Sequence, residues 1–199
     1  ADGTGAADLE VNGTLINSAG THSYTGTVVF NAGSIYQHNR NAGTVPPATW
    51  HSSSNCVFTG ITSTAPGGLA QLFGNVQWDC AGQTASVNLA GALTQIAGNF
   101  TISHCSATAG RVLRLTGTAT NPVISVGGDF VINSSNARFE YGNGSATGAQ
   151  LQIGGSFLMS AGTFNANVNG SLQVVFTGAN KDFNQSGDNF NGTQVNWLL

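Results

Sequence analysis

The sequence predicts an all-β protein, a single elongated parallel β-solenoid (β-helix) with irregular coils of about 20–25 residues. One phrase, apolar-x-apolar-x-Gly-x-apolar, occurs at residues 9–15, 87–93, 124–130 and 151–157. Apolar residues at every second position are typical of a strand with one buried face, and the Gly indicates a bend or a close backbone approach. We therefore expect a stack of similar strands. The side chains expected to line its core are Leu9, Val11, Val126, Phe130, Ile153 and Phe157.

A second phrase, apolar-Thr-Gly, indicates a degenerate repeat on a longer scale. Its glycines are Gly60, Gly117 and Gly178, which are 57 and 61 positions apart and suit a super-repeat of two or three coils. Turn-forming clusters such as 31–33 and 142–144 separate the apolar segments. No segment predicts a helix. In chain order, strands are expected near 9–16, 26–30, 34–38, 56–62, 70–79, 85–95, 99–104, 111–117, 123–132, 137–141, 149–158, 163–168, 171–177 and 194–198.

Composition favours a folded, strand-rich protein and narrows its function. Only 7% of the 199 residues are charged and 40% are hydrophobic, which does not resemble a disordered linker. The net charge is −3 and the five basic residues are scattered, whereas nucleic-acid binding requires clustered Lys and Arg. No apolar run reaches the roughly 18 residues of a membrane-spanning helix. We therefore expect neither nucleic-acid binding nor membrane insertion.

We expect residues 1–199 to form one β-solenoid domain, either complete or a segment of a longer stack. Residues 40–54, which include Pro46 and Pro47, are the longest break in the alternation and are expected to protrude as a surface loop. The sequence closes on apolar residues, and an uncapped strand at the end of a stack pairs with any strand that is offered. The predicted assembly edge consists of Val195, Trp197, Leu198 and Leu199.

The three cysteines, Cys56, Cys80 and Cys105, follow one another at intervals of 24 and 25 positions, close to one expected coil. Neighbouring strands lie about 4.8 Å apart, and this separation permits a disulfide. We expect Cys56 and Cys80 to be paired and Cys105 to be free, since the first two flank aromatic strand segments. A disulfide would place the chain outside the cytoplasm. The alternative is that all three are small buried hydrophobic residues.

Four longer phrases occur at residues 33–50 (GSIYQHNRNAGTVPPATW), 56–69 (CVFTGITSTAPGGL), 73–80 (FGNVQWDC) and 178–187 (GANKDFNQSG). They resemble the repeat regions of large, adhesin-like surface and secreted proteins of Bacteroidetes, which are typically cargo of the type IX secretion system. The resemblance implies an extended β-solenoid stalk, outside the cell or at its surface. It supplies no catalytic motif.

An enzymatic function is one alternative, because parallel β-helices include polysaccharide-cleaving enzymes that use clustered carboxylates. The nearest candidate group is Asp129, Glu140 and Arg138, which we interpret as ordinary surface charges. The histidines show no metal-ligand spacing, and the one combination to consider is His104 with Cys105 and Cys80. We expect no catalytic residues, no metal and no cofactor.

Carbohydrate binding is the other alternative, since sugar rings pack against exposed aromatic rings. A stacking platform could consist of Tyr36, Trp50, Trp78, Tyr141 and Trp197, of which Trp78 is expected in the core. The candidate glycan contacts are Trp50, which follows the two prolines in the expected loop, and Tyr36. Our main expectation is a non-enzymatic extracellular structural or adhesive unit that joins a stalk or filament by end-to-end β-stacking. Its expected partners are further copies or neighbouring repeats of the same protein, and surface glycans.

Overall fold

The computed structural model of this protein describes residues 8–20, 24, 26–117, 122–187, 189–191 and 195–198. These residues form 22 strands and no helix, so the predicted all-β class is confirmed. The strands pair in parallel and wind into a solenoid of about seven turns. The described part of the chain contains no helix that is long and apolar enough to cross a membrane.

The strands, numbered in chain order, lie on three faces of the solenoid. The first face contains β1 (Leu9–Val11), β3 (Val28–Phe30), β5 (Thr49–Trp50), β7 (Leu72–Phe73), β10 (Gln95–Ile96), β13 (Val123–Val126), β16 (Gln150–Ile153), β19 (Leu172–Phe176) and β22 (Val195–Leu198). The second face contains β2 (Thr14–Asn17), β4 (Ile35–His38), β6 (Asn55–Phe58), β8 (Asn75–Asp79), β11 (Phe100–His104), β14 (Phe130–Ile132), β17 (Phe157–Met159) and β20 (Phe183–Gln185). The third face contains β9 (Val87–Asn88), β12 (Leu113–Arg114), β15 (Arg138–Glu140), β18 (Thr163–Asn165) and β21 (Asn189–Asn191).

The second face is one continuous sheet of eight strands, whereas the first is divided between β5 and β7. Even there, the Trp50 and Phe73 rings remain 5.0 Å apart, so the core is not interrupted. The second face also shows that the coils differ in length. Up to β8, residues that pair in register are close in the sequence, as Cys56 and Val76 are. Beyond β8 they are farther apart, as Phe100 and Phe130 are. The longer coils are the ones that contain third-face strands.

The predicted core residues lie inside the stack. Val126, Phe130, Ile153 and Phe157 are at most 1% exposed, and Val11 is buried. Leu9 is partly buried and packs against the same cluster. Because the strands pair in register, inward side chains of successive coils form columns along the axis. One column of the second face consists of Leu15, Tyr36, Cys56, Val76, Phe100, Phe130, Phe157 and Phe183.

The repeated phrases correspond only in part to equivalent positions. Gly13, Gly128 and Gly155 all lie at the corner between a first-face and a second-face strand. The phrase at 87–93 instead begins in β9 on the third face, and its Gly91 has a positive φ of 75°. The apolar-Thr-Gly phrases follow strands of three different faces, β6, β12 and β19. The predicted super-repeat of this second phrase is therefore wrong.

A ladder of side chain to backbone hydrogen bonds joins the coils at the corner before the second face. We call it the corner ladder. Asn75 Oδ1 accepts from the Asn99 amide at 2.9 Å, and Asn99 Oδ1 accepts from the Asp129 amide at 2.8 Å. Asp129 Oδ1 accepts from the Ser156 amide at 2.7 Å, and Ser156 Oγ accepts from the Asp182 amide at 3.1 Å. Short polar side chains at this position therefore satisfy backbone donors of the next coil where the chain turns.

The glycines that precede these residues leave room for the ladder. A Cβ atom on Gly98, Gly128 or Gly155 would overlap the side-chain oxygen of Asn75, Asn99 or Asp129, respectively. This close approach explains the Gly of the sequence phrase at Gly128 and Gly155, but not at Gly13, where a Cβ would meet nothing within 4 Å.

Residues 40–54 do not form the predicted protruding loop. Thr44 forms a parallel bridge with Gly67, and the Val45 amide donates to Gly67 O at 3.0 Å. Val45 is fully buried, and β5 lies within the segment, on the first face. The two prolines lack N–H groups, and they lie where the chain follows the coil without pairing as a regular strand. The segment is part of the solenoid wall.

The corner predicts a sharp contrast between two Gly-to-Ala substitutions. We expect Gly155→Ala to lower the free energy of unfolding by about 2 kcal/mol or more. The new methyl would overlap Asp129 Oδ1, which accepts from the Ser156 amide, and also the backbone carbonyl of Gly128. Gly13 lies at the same corner of the first coil, but a Cβ there meets nothing within 4 Å. Urea denaturation should find Gly13→Ala unchanged or stabilised by up to about 1 kcal/mol. Equal effects at both positions would contradict the ladder.

Candidate functional site

The last described coil presents three strand edges at one end of the solenoid. β20, β21 and β22 are each the outermost strand of their sheet. We call these three strands together the terminal coil. Among the described residues, each pairs with a strand of the preceding coil on one side only. Unpaired edges of this kind offer backbone donors and acceptors to a further strand.

Aromatic rings of the core converge on the terminal coil. Phe183 lies above Phe157 with ring centroids 5.2 Å apart, and Phe190 lies above Phe164 at the same 5.2 Å. Trp197 closes the group at 4.3 Å from Phe183. Phe183 is 45% exposed, whereas Phe157 one coil earlier is fully buried. The terminal coil therefore exposes the end of a core column.

The predicted assembly edge lies in this coil, with differences in detail. Val195 and Trp197 pack against the core. Leu198 is 47% exposed and stands in the outward row of the first face, in register with Val175. Leu199 lies outside the described residues.

Sequence reasoning missed Phe183 and Phe190 as members of the edge. Phe183 follows Asp182 at the corner, as Phe130 follows Asp129 and Phe157 follows Ser156. This short motif of a polar residue followed by Phe is the signal that could have identified Phe183 as a column member.

The candidate glycan contacts are wrong, because both rings are buried in the core. Tyr36 is fully buried, and Trp50 is only 8% exposed. The Trp50 ring stacks on Phe30 with centroids 4.1 Å apart, and its Nε1–H donates to Gln71 Oε1 at 2.9 Å. Since residues 40–54 follow the wall of the solenoid, the residue at the end of β5 points inward. Neither ring offers a face to a sugar.

Truncating Trp50 should accordingly affect stability. We expect Trp50→Ala to lower the free energy of unfolding by about 3–5 kcal/mol, because it removes a stacked ring and leaves a cavity. Ile16→Ala is the control, since Ile16 is 52% exposed, and it should cost about 1 kcal/mol or less. Thermal denaturation followed by circular dichroism compares the two. A Trp50→Ala protein as stable as the wild type would show that the ring is not a core element.

A buried chain of polar groups crosses the interior of the first coils. The Asn17 amide nitrogen donates to Tyr36 Oη at 2.9 Å, and Tyr36 Oη lies 3.1 Å from His38 Nδ1. His38 Nε2 lies 2.7 Å from the Ala42 carbonyl. A carbonyl only accepts, so Nε2 carries the proton, and Nδ1 of the neutral ring accepts from Tyr36. With His38 neutral, the Tyr36 hydroxyl donates to Nδ1 and Nε2–H donates to the Ala42 carbonyl, so both ring nitrogens are satisfied.

Burial shifts both titratable groups of this chain toward their neutral forms. It raises the pKa of Tyr36 to about 12. It lowers the pKa of His38 below the ordinary 6.5, an effect that the hydrogen bond to Ala42 opposes and nearby Arg40 reinforces. The arrangement is suited to holding neighbouring coils together. It offers no route by which a substrate would reach the groups, since Asn17, Tyr36 and His38 are at most 1% exposed.

The lowered pKa of His38 predicts a loss of stability in mild acid. As pH falls below 6.5, the unfolded chain binds a proton that the folded protein does not yet bind. The free energy of unfolding should therefore decrease, by at most about 1.4 kcal/mol per pH unit from this group. His38→Gln should flatten the dependence between pH 7 and pH 5, whereas His51→Gln, at an exposed position, should not. An unchanged slope in His38→Gln would rule out this origin.

The predicted Cys56–Cys80 disulfide is wrong, and all three cysteines are free and fully buried. The coil between β6 and β8 is shorter than the interval between these two cysteines, so Cys56 stands in register with Val76. Cys80 comes four positions later, past the end of the paired strand, and its thiol donates to Phe58 O at 3.3 Å. The spacing of the two cysteines does not match this coil.

The charged residues considered as a catalytic group are not brought together. Asp129 belongs to the corner ladder, and Arg138 donates to Ser106 O at 2.9 Å. Glu140, which is 8% exposed, accepts from Arg114 Nε at 2.7 Å and also from the Asn167 side chain. Each of the three is engaged with a different part of the wall.

The histidine considered as a metal ligand points away from the two cysteines considered with it. His104 Nδ1 lies 2.5 Å from Asp79 Oδ1 on the outside of the second face, while Cys80 and Cys105 are buried. Within the described residues, no three His, Cys, Asp or Glu side chains converge as a metal site would require.

Comparison of the chain with protein-family models, with curated proteins and with solved structures finds no match in any of the three. Its function is therefore inferred from its sequence and from the geometry of the described residues.

Proposed function

We propose that this protein is a non-enzymatic structural or adhesive unit of an extracellular stalk or filament, in which units join end to end by β-stacking. The observation that carries the proposal is the terminal coil, where three strand edges meet the exposed end of an aromatic column. An added coil would satisfy the backbone groups of these edges and bury Phe183 as Phe157 is buried in the coil below.

The opposite end of the described solenoid offers a complementary partner. β1 and β2 are the outermost strands of their sheets there. β22 belongs to the same face as β1, and β20 belongs to the same face as β2. A second copy placed above the terminal coil would continue these two faces in the same strand direction. It would offer no strand to β21, because the third face of the described solenoid begins only at β9. Such head-to-tail contact does not close on itself and generates an open filament.

The distribution of charges supports a structural role over a catalytic one. Asp129, Glu140 and Arg138 each hold a separate part of the wall, through bonds to a backbone amide, an arginine and a backbone carbonyl. A site that hydrolyses glycosidic bonds would instead need two carboxyl groups facing one another across a sugar-sized gap.

The extracellular location rests on the resemblance of the sequence to adhesin-like repeat regions. The Cys56–Cys80 bridge does not support it, because the two residues are four positions out of register.

End-to-end assembly is tested by Phe183→Lys, which places a charge where the next coil would stack. We expect the wild-type chain to form higher species as concentration rises, and Phe183→Lys to remain monomeric, when both are measured by sedimentation velocity. Negative-stain images of the wild type should show filaments whose long axis follows the solenoid. Circular dichroism checks that the variant keeps its β-structure.

Leu72→Lys is the matched control for this experiment. Leu72 is 53% exposed, more than Phe183, but it lies on the first face in the middle of the stack. The Leu72→Lys protein should therefore assemble as the wild type does. A wild type that stays monomeric at every concentration, or equal loss of assembly in both variants, would contradict end-to-end stacking.

A further inference from the structure

Two of the three buried cysteines stand on adjacent coils at the end of the same strand pair. β8 ends at Asp79 and β11 ends at His104, and these two residues are partners in register. The Cys80 amide continues the ladder by donating to His104 O at 2.9 Å. Cys80 and Cys105, the next residue in each coil, are both fully buried.

A bulge brings these two residues level. Trp78 pairs with Ile102, so an unbroken register would pair Asp79 with Ser103 and Cys80 with His104. The register instead shifts by one position between Ile102 and His104, and Asp79 pairs with His104. The next pair in this shifted register is Cys80 with Cys105. One extra residue in β11 therefore aligns the two cysteines, which would otherwise be one position out of step.

We propose that Cys80 and Cys105 are the pair of this chain that forms a disulfide when the protein meets an oxidant. Aligned residues on neighbouring parallel strands lie about 4.8 Å apart, inside the range of about 4.4–6.8 Å between Cα atoms that a disulfide accepts. The disulfide would link two successive coils just after their second-face strands, β8 and β11, end. It is independent of the proposed end-to-end assembly.

The oxidation requires an external acceptor of two electrons. With diamide, the two thiols lose two protons and two electrons, one S–S bond forms, and the N=N bond of the reagent is reduced to a hydrazine. Both thiol hydrogen bonds are given up, that of Cys80 to Phe58 O at 3.3 Å and that of Cys105 to Arg138 O at 3.2 Å. Thiols are weak donors, so the loss of these two hydrogen bonds does little to oppose formation of the disulfide.

The reaction in the folded protein should be slow at neutral pH. Burial raises the pKa of Cys80 to about 12 and that of Cys105 to about 11, and the proximity of Cys105 contributes to the shift of Cys80. The thiolate is the reactive form. As long as the pH is below these pKa values, the rate of oxidation should therefore increase about tenfold for each unit by which the pH is raised.

The test uses three variants of the whole chain, each of which retains one pair of cysteines. Cys56→Ala retains Cys80 and Cys105, Cys105→Ala retains Cys56 and Cys80, and Cys80→Ala retains Cys56 and Cys105. The variants assign the pairing, because no Lys or Arg lies between residues 41 and 110 and trypsin leaves all three cysteines in one peptide. Each variant is treated with diamide, unfolded, alkylated and weighed by mass spectrometry.

We expect Cys56→Ala to escape alkylation after oxidation, and the other two variants to take up the reagent at both thiols. A second arm refolds each variant from urea in a glutathione redox buffer, which removes the barrier of burial. The bridged Cys56→Ala protein should also melt at a higher temperature than its reduced form. If Cys56→Ala retains two free thiols in both arms, or if another pair is bridged as readily, the proposal is wrong.

Discussion

Parallel pairing between successive coils is the constraint on which the rest of this structure depends. Because paired strands lie about 4.8 Å apart, each inward side chain has its counterpart from the next coil directly above it. This spacing stacks Phe130 on Phe157 with centroids 5.4 Å apart, and it lets Asp129 reach the amide of Ser156. It also leaves an open edge at any coil without a neighbour. The core, the corner ladder and the proposed interface follow from one repeat.

The alternation of apolar residues was sufficient to predict the fold class and the core side chains. The alternation was not sufficient to predict the length of each coil, since that length depends on the number of residues that connect the strands. The short coil that joins Cys56 to its partner Val76 and the longer coil that joins Phe100 to Phe130 contain similar strands. A disulfide inferred from an average coil length was therefore wrong, and so was the super-repeat of the apolar-Thr-Gly phrase. Register is set by hydrogen bonds between backbones, so the residue types of the strands do little to predict it.

The sequence was sufficient to predict where the candidate site lies, but not which residues form it. The apolar residues Val195 and Trp197 indicated an edge, whereas Phe183 and Phe190 were recognisable only once the columns were known. Tyr36 and Trp50, in contrast, were predicted to be exposed and are buried. Two prolines suggested a loop, but the segment follows the wall, and the first coils carry their aromatic rings inward. An aromatic residue beside a turn cluster therefore says little about exposure in this fold.

The distance between spin labels on the second face tests the stacking most directly. Ile16 and Leu158 stand in the same outward row, separated by six strand-to-strand steps. With the three native cysteines replaced by Ala, nitroxides at Ile16→Cys and Leu158→Cys should give one narrow distance distribution centred near about 29 Å. A β-sandwich or a slipped register would place the two labels elsewhere. A distance below about 20 Å, or a broad distribution, would contradict the parallel stack.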